Sequence, residues 1–237
     1  MQAATFFLMG TALFGLSSQA AEPRIVDVPN GPAFVKFAGK TEVDARSGQL
    51  LRTDALLRTT KPGRMQVMLG SGRQFRMGGD AQLRLGSSSV ELLKGSIIGW
   101  INPGTQTLRP FTIKTRLATA SIQGTTVFIE FTDSQFKIFS WEGKVFVTTR
   151  SGQRFTLNSG QQLLLDLKRV ERYGSVQPYG SVQQDDPLAV SWGPPVVIAE
   201  QEVERRLQKS RLINGFSTPL DTLPEIQREL GVTAPSP

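Results

Sequence analysis

The feature that most constrains the fold is a repeat. Gly63 to Leu85 recurs 80 residues later as Gly143 to Leu165. GRMQVMLGSGRQFRMGGDAQLRL and GKVFVTTRSGQRFTLNSGQQLLL agree at eight of 23 positions: Gly63/Gly143, Val67/Val147, Ser71/Ser151, Gly72/Gly152, Phe75/Phe155, Gln82/Gln162, Leu83/Leu163 and Leu85/Leu165. Average residue usage gives about one or two such matches at a single offset. The repeated unit is strand, glycine-bearing turn, strand. A chain built from two copies of it points to an all-β module made for shape and contact rather than to a catalytic cleft.

The rest of the middle of the chain reads the same way. Short segments such as QLLRT, MQVML, QFRMG, QLRLG, VELLKG, SIIGWI, FTIKT, ASIQGTTVFIEF, FKIFS, KVFVTT, RFTLN and QQLLLD alternate or are β-branched and aromatic. Gly70-Ser71-Gly72, Glu142-Gly143, Ser151-Gly152 and Ser159-Gly160 are turn signals between them. Val67, Phe75, Leu83, Ile113, Val127, Ile138, Val147, Phe155 and Leu163 are among the residues expected to face inward. About a dozen strands at this spacing predict a sandwich, a roll or a short β-solenoid with pseudo-symmetric halves.

Composition closes most catalytic routes. The chain of 237 residues has no histidine and no cysteine, which excludes Ser-His-Asp and Cys-His nucleophile systems, disulfides and Cys-ligated metals. No cofactor or metal is expected, and the protein reads as a non-enzyme. Its formal charge of +7 invites polyanions, but the arginines are scattered and no basic stripe is interleaved with exposed aromatics. Nucleic acid is therefore not expected as a partner. Gly39-Lys40-Thr41 lacks the upstream glycine of a phosphate loop, because Phe34 stands there. Ser87-Ser88-Ser89 has no base to activate it. Asp185-Asp186 and Glu42/Asp44 lack the framework of a calcium loop or a glycosidase pair, and read as solvated surface.

The ends differ from the middle. FFLMGTALFGL followed by SSQA-AEP reads as a secretory signal over residues 1–20, with Ser18 and Ala20 at −3 and −1 of the cut, although no Lys or Arg precedes the apolar run. Such a run is short for a permanent span, so the mature chain is expected to be exported, periplasmic or extracellular, with no membrane-spanning segment. Residues 21–47 are expected to pack on the β domain of residues 48–170. Residues 171–197, with Tyr173-Gly-Ser-Val-Gln177 duplicated at Tyr179 to Gln183, read as a strap or linker. Residues 198–237 read as a helical tail, with one helix over Ile198 to Ile213 carrying a Glu202/Arg206 pair. A second helix spans Pro224 to Leu230 and stops at Gly231.

Three tryptophans could form a sugar platform. Trp100 and Trp141 sit in strand patterns and read as packing residues, and Trp192, beside Pro194-Pro195, reads as a latch onto the β domain. Arg73, Arg76, Arg84 and Trp192 are the candidate binding surface. Strand alternation allows some of Arg52, Arg58, Arg64, Arg73, Arg76 and Arg84 to share a face.

The ordered series LLRTDALLRTTKPGRMQVML, SGRQFRMGGDAQLRL, VELLKGSIIGWI, FTIKTRLATASIQGTTVFIEF, FKIFSWEGKVFV and RFTLNSGQQLLL resembles the FecR-type extracytoplasmic domain family over about residues 48–166. Ile122 to Phe128 matches its glycine–threonine signature, Trp141 to Val145 its "eGxVxV" strand, and the final segment its closing turn. The motif residues are Gly72, Gly124, Thr125, Gly143, Gly152 and Gly160, and their expected role is structural: glycine for tight turns or close approach, Thr125 for a hydroxyl bond to turn backbone. In the iron-transport regulators that name the family, this domain is periplasmic and receives a signal from an outer-membrane receptor, while a cytoplasmic segment meets a sigma factor. This chain is expected to depart from that layout, having a signal-like start in place of a cytoplasmic segment and spanning helix. The resemblance implies a protein-interaction, scaffold or signal-receiving module whose partner is an envelope protein. The alternative is a module for acidic cell-surface polysaccharide or peptidoglycan.

Overall fold

The computed structural model describes residues 22–105, 110–167 and 191–232. Its strands are β1 (Arg24–Asn30), β2 (Ala33–Lys36), β3 (Val43–Asp44), β4 (Leu56–Thr59), β5 (Arg64–Met68), β6 (Arg73–Leu85), β7 (Ser89–Ile101), β8 (Phe111–Lys114), β9 (Ala118–Ile122), β10 (Thr126–Phe131), β11 (Gln135–Glu142), β12 (Val145–Thr149), β13 (Arg154–Leu157), β14 (Gln161–Asp166) and β15 (Val196–Val197). Helices α1 (Glu200–Lys209), α2 (Arg211–Asn214) and α3 (Leu223–Leu230) follow. The fold is all-β with a helical C-terminal cover.

Fifteen strands form one open sheet that folds over on itself, and the device that folds it is the hairpin β6–β7. Each strand of this hairpin is 13 residues long, where the sequence pattern predicted two short strands in each place. The first half of β6 pairs with β5 and with the second half of β7, and its second half pairs with β4 and the start of β7. Between the halves the register shifts after Gly78. Gly79 and Asp80 have φ of 69° and 61° there. This bulge and bend carry both strands from one layer into the other.

One layer therefore runs β1-β5-β6-β7-β10-β11-β14-β15, and the second runs through β3-β2-β4-β6-β7-β8-β9-β12-β13. All described pairings are antiparallel except β7–β8. Segment ASIQGTTVFIEF, which reads as continuous, divides at Gly124 into β9 of the second layer and β10 of the first. The expected strand at 49–53 is reduced to a single bridge from Leu50 to Arg24, with a strand at Leu56–Thr59 instead.

The two layers pack face to face over a common core. Val67, Phe75, Ile97, Val127 and Ile138 from one meet Leu57, Leu83, Val90, Ile113 and Val147 from the other, all essentially inaccessible to solvent. Burial of this kind stabilises by about 1.5–3 kcal/mol per large apolar side chain. Phe155, expected inside, is only half-buried and packs at the edge of this core. The geometry is a sandwich or roll, not a solenoid.

The repeat survives in three dimensions. Hairpin β5–β6 pairs Val67 with Phe75 and Met65 with Met77; hairpin β12–β13 pairs Val147 with Phe155 and Val145 with Leu157, the same register shifted by 80 in both strands. The turns are closed alike, by Leu69 N–H to Arg73 O at 2.7 Å and Thr149 N–H to Gln153 O at 2.9 Å. Each copy then changes layer at an equivalent site, Asp80 with φ 61° and Gly160 with φ 76°. The first copy passes from the first layer to the second, and the second copy returns.

The outer face of the first layer is also apolar, at Ile98, Trp100, Phe139 and Trp141. Val203 and Leu207 of α1, Leu212 and Ile213 of α2, and Ile226 of α3 cover it. The helix expected over Ile198 to Ile213 is broken at Ser210, whose ψ of 107° is extended. That break turns Leu212 and Ile213 down onto the sheet. Helix α3 has Pro224 in its first turn and ends at Gly231 in the left-handed region. The signal segment 1–20 and most of the strap lie outside the described residues.

Candidate functional site

One buried side chain of the sheet gathers the backbone of the C-terminal segment around it. On β6, Phe75 and Met77 face the core, so Arg76 faces the helices. Its Nη1 donates to the carbonyls of Leu212 at 3.2 Å and Ile213 at 2.8 Å, and its Nη2 to Thr218 at 2.7 Å and Pro219 at 3.2 Å. Its Nε donates to Gln66 Oε1 at 2.8 Å. The guanidinium also lies 4.4 Å from the Phe216 ring centroid and 5.5 Å from that of Trp100. Burial lowers its pKa to about 10, opposed by Asp221 and Asp27.

A polar chain continues from this clamp. Gln66 Nε2 donates to Gln74 Oε1 at 2.9 Å, and Gln74 Nε2 donates to Asn102 Oδ1 and Asp221 Oδ2, both at 2.8 Å. The indole N–H of Trp100 reaches the same two oxygens at 3.2 Å. Three planar donors on the strands, Arg76, Gln74 and Trp100, thus read the backbone and one carboxylate of the C-terminal segment. Satisfying every buried polar group in such a network specifies one docked position.

Arg76 is therefore removed from the candidate binding surface. Its charge faces protein carbonyls, and it is fully buried. Trp192 is likewise internal, edge-on to Phe136 at 5.5 Å and tilted against Phe155 at 6.5 Å, so of its two readings the latch holds. Arg73 is half-buried at the start of β6 with Nε on the Gly70 carbonyl at 3.1 Å. Arg84 is exposed on the far side of the sandwich and pairs with Glu91 at 3.1 Å. The four do not share a surface, because β6 crosses layers between Arg76 and Arg84.

The motif residues gather at turns, and several meet α3. Gly72 and Gly152 lie in the two equivalent hairpin turns, Gly124 and Thr125 in the β9–β10 crossing, Gly143 in the β11–β12 turn and Gly160 at the β13–β14 corner. The Thr125 hydroxyl donates to the Glu142 carbonyl. A Cβ on Gly143 would lie 2.9 Å from that threonine's Cβ and Oγ1, at a φ of 69°, so the turn accepts only glycine. Gly143 N–H donates to Glu229 Oε2 of α3 at 2.8 Å, and the Ser159 hydroxyl donates to the same oxygen.

Beside the clamp, between the outer face and α1–α2, opens a cleft of about 680 Å³, in the range of ligand pockets. Phe128, Phe139 and Trp141 line its floor, and seven basic side chains line it against one carboxylate, Glu202. Among the described residues no group of His, Cys, Asp or Glu side chains could hold a metal ion, and no helix is long and apolar enough to cross a membrane. The sequence reading missed this cleft because its cations, from Lys61 and Arg64, Lys137, and Arg205 to Arg211, come from three stretches of chain far apart in sequence.

Residues 55–146 match the FecR protein family. The FecR-type region begins at the end of the loop before β4, includes the layer-crossing hairpin, and ends in β12. It supplies Trp100, Phe139 and Trp141 of the helix-covered face. No curated protein matches the chain significantly. Two crystal structures of proposed anti-sigma factors from Parabacteroides distasonis are similar in fold. One is 20% identical, covering 44% of this chain and 51% of its own, with a TM-score of 0.39. The other is 15% identical, covering 77% of this chain and 99% of its own, with a TM-score of 0.48. The chain spans about half the length of the first.

Proposed function

We propose that the protein is an exported, non-enzymatic FecR-domain protein that acts as a protein-interaction and signal-receiving module in the cell envelope. The observation that carries this reading is the FecR match over residues 55–146, on a chain whose lack of histidine and cysteine removes the commonest nucleophile systems. The signal-like N-terminus supports export. The test is intact-mass analysis of the exported fraction together with crosslinking in intact cells. A mass beginning at Ala21 and a reproducible envelope protein partner are expected; an unprocessed chain in the cytoplasm would overturn the location.

The polysaccharide reading stands second, favoured by the net charge of +7 and the basic cleft. It expects retention on an immobilised acidic polysaccharide that falls steeply with salt. Retention that is absent or indifferent to salt removes it.

A further inference from the structure

Three of the cleft's cations stand outside its ion pairs. Lys61 pairs with Asp80 at 3.5 Å, Lys137 with Glu130 at 2.9 Å, and Arg205 and Arg206 with Glu202 at 2.6 and 2.8 Å. Arg64, Lys209 and Arg211 form no ion pair among the described residues. Arg64 donates to Asn30 Oδ1, and burial and then the neighbouring Arg211 lower its pKa against the opposing charge of Asp27. Two like charges facing one concave site are a standing electrostatic cost that an anion placed between them relieves.

The floor says what kind of anion. Phe139 and Trp141 meet edge to face, 4.9 Å between centroids at 88°, so they offer no common plane. The Arg206 guanidinium lies 5.4 Å over Phe139, and Lys137 Nζ lies 5.8 Å over Phe128. Cations of the protein thus lie over Phe128 and Phe139, and Trp141, only 3% exposed, offers no open plane on which a pyranose or a base would stack. What remains is ring edge and the aliphatic surface of Pro62 and Leu212, suited to a side chain entering edge-on. The buried indole N–H of Trp141, on the same floor, has no acceptor among the described residues.

We infer that this cleft docks an acidic peptide segment of the partner protein, with a large apolar residue on the Phe128–Phe139–Trp141 floor and flanking carboxylates on Arg64, Lys209 and Arg211. The inference rests on the interaction-module reading and gives that module its recognition chemistry. Charge complementarity chooses the peptide's acidity, and the lack of an open ring plane chooses a peptide over a glycan.

The test is fluorescence anisotropy of the full-length mature chain with a fluorescein-labelled Glu-Asp-Phe-Asp-Glu peptide. Saturable binding is expected, weakening by about tenfold or more in the double variant Lys209→Glu/Arg211→Glu, in which two exposed cations become acids. The peptide with Gln and Asn for its acids, and the peptide with Gly for Phe, should each lose a comparable factor. Arg84→Glu, on the opposite face, should stay within about twofold. Circular dichroism and melting of each variant, with Lys209→Gln/Arg211→Gln as a milder pair, separate loss of binding from loss of fold. Absence of saturable binding, equal weakening by Arg84→Glu, or tighter binding of oligogalacturonate than of the peptide overturns the proposal. Crosslinking wild type and the double variant in cells keeps the two readings apart. Undiminished partner capture by the variant removes the cleft and leaves the module, whereas no capture by wild type removes the module itself.

Discussion

Glu142 occupies the second position of the Trp-Glu-Gly turn and is only 4% exposed. Its Oε1 accepts from Thr126 Oγ1 at 2.9 Å, and that hydroxyl lies 2.5 Å from Thr222 Oγ1 at the start of α3. Burial pushes its pKa up to about 7, with Glu229 and Glu225 of α3 adding to the rise while the Thr126 hydroxyl and Arg228 oppose it. In the unfolded chain the carboxyl titrates near 4.5, so the folded state holds the proton more tightly. Its stabilising contribution is complete below pH 4.5 and is lost as pH rises through 7. At about 1.36 kcal/mol per pKa unit, the ceiling is about 3 kcal/mol. With no histidine in the chain, the window from pH 5 to 8 is clear of the usual titrating side chain. Denaturant unfolding should therefore show stability falling over that window, and Glu142→Gln, which stays neutral, should flatten the profile. A flat wild-type profile, or an unchanged slope in the variant, would refute this assignment.

At the scale of elements, the contact between strands and C-terminal cover turns on Arg76. Arg76→Met keeps most of the apolar stem but leaves the carbonyls of Leu212, Ile213, Thr218 and Pro219 without their donor. Breaking a buried charged network of this kind costs about 3–5 kcal/mol. The loss should fall on the cover rather than on the sandwich, whose core lies on the opposite face of β6. We expect the variant to release α1–α3 at lower denaturant than the sheet, seen as a red shift in tryptophan emission from Trp100 and Trp141 before strand signal is lost. A single transition at the wild-type midpoint would count against the clamp. This clamp also marks the limit of what was legible in the sequence. The register of both hairpins was readable from the 80-residue repeat, because a strand's period of two ties every residue's facing to one pairing. The stop of α3 was readable from Pro224 and Gly231, whose backbone chemistry is local. The burial of Arg76 was not, since its partners are carbonyls about 140 residues away that carry no side-chain signal. Nor was the cleft, whose cations meet only after the helix breaks at Ser210. The division of ASIQGTTVFIEF was hidden for a related reason: a continuous apolar run looks the same whether it stays in one layer or crosses between two.

At the scale of the whole molecule, the two layers cannot act as separate bodies. Strands β6 and β7 run through both, so detaching either layer breaks one continuous hydrogen-bonded hairpin and opens the shared core. The two copies of the repeat reinforce this, one carrying the chain into the second layer and the other returning it. The C-terminal cover is different, because it meets the sheet through side chains and, among the described residues, adds no strand beyond the two residues of β15. Amide hydrogen exchange should therefore divide the molecule by attachment rather than by layer. Ile97 and Ile129 in the first layer and Leu92 and Ile113 in the second should exchange with opening free energies equal within about 1 kcal/mol, at the value of global unfolding. Helices α1–α3 should open earlier, and in Arg76→Met earlier still, while the four strand amides stay matched to one another. An opening free energy for one layer more than about 2 kcal/mol below that of the other would show that the hairpin does not couple them, and that the fold is two sheets in contact rather than one sheet turned back on itself.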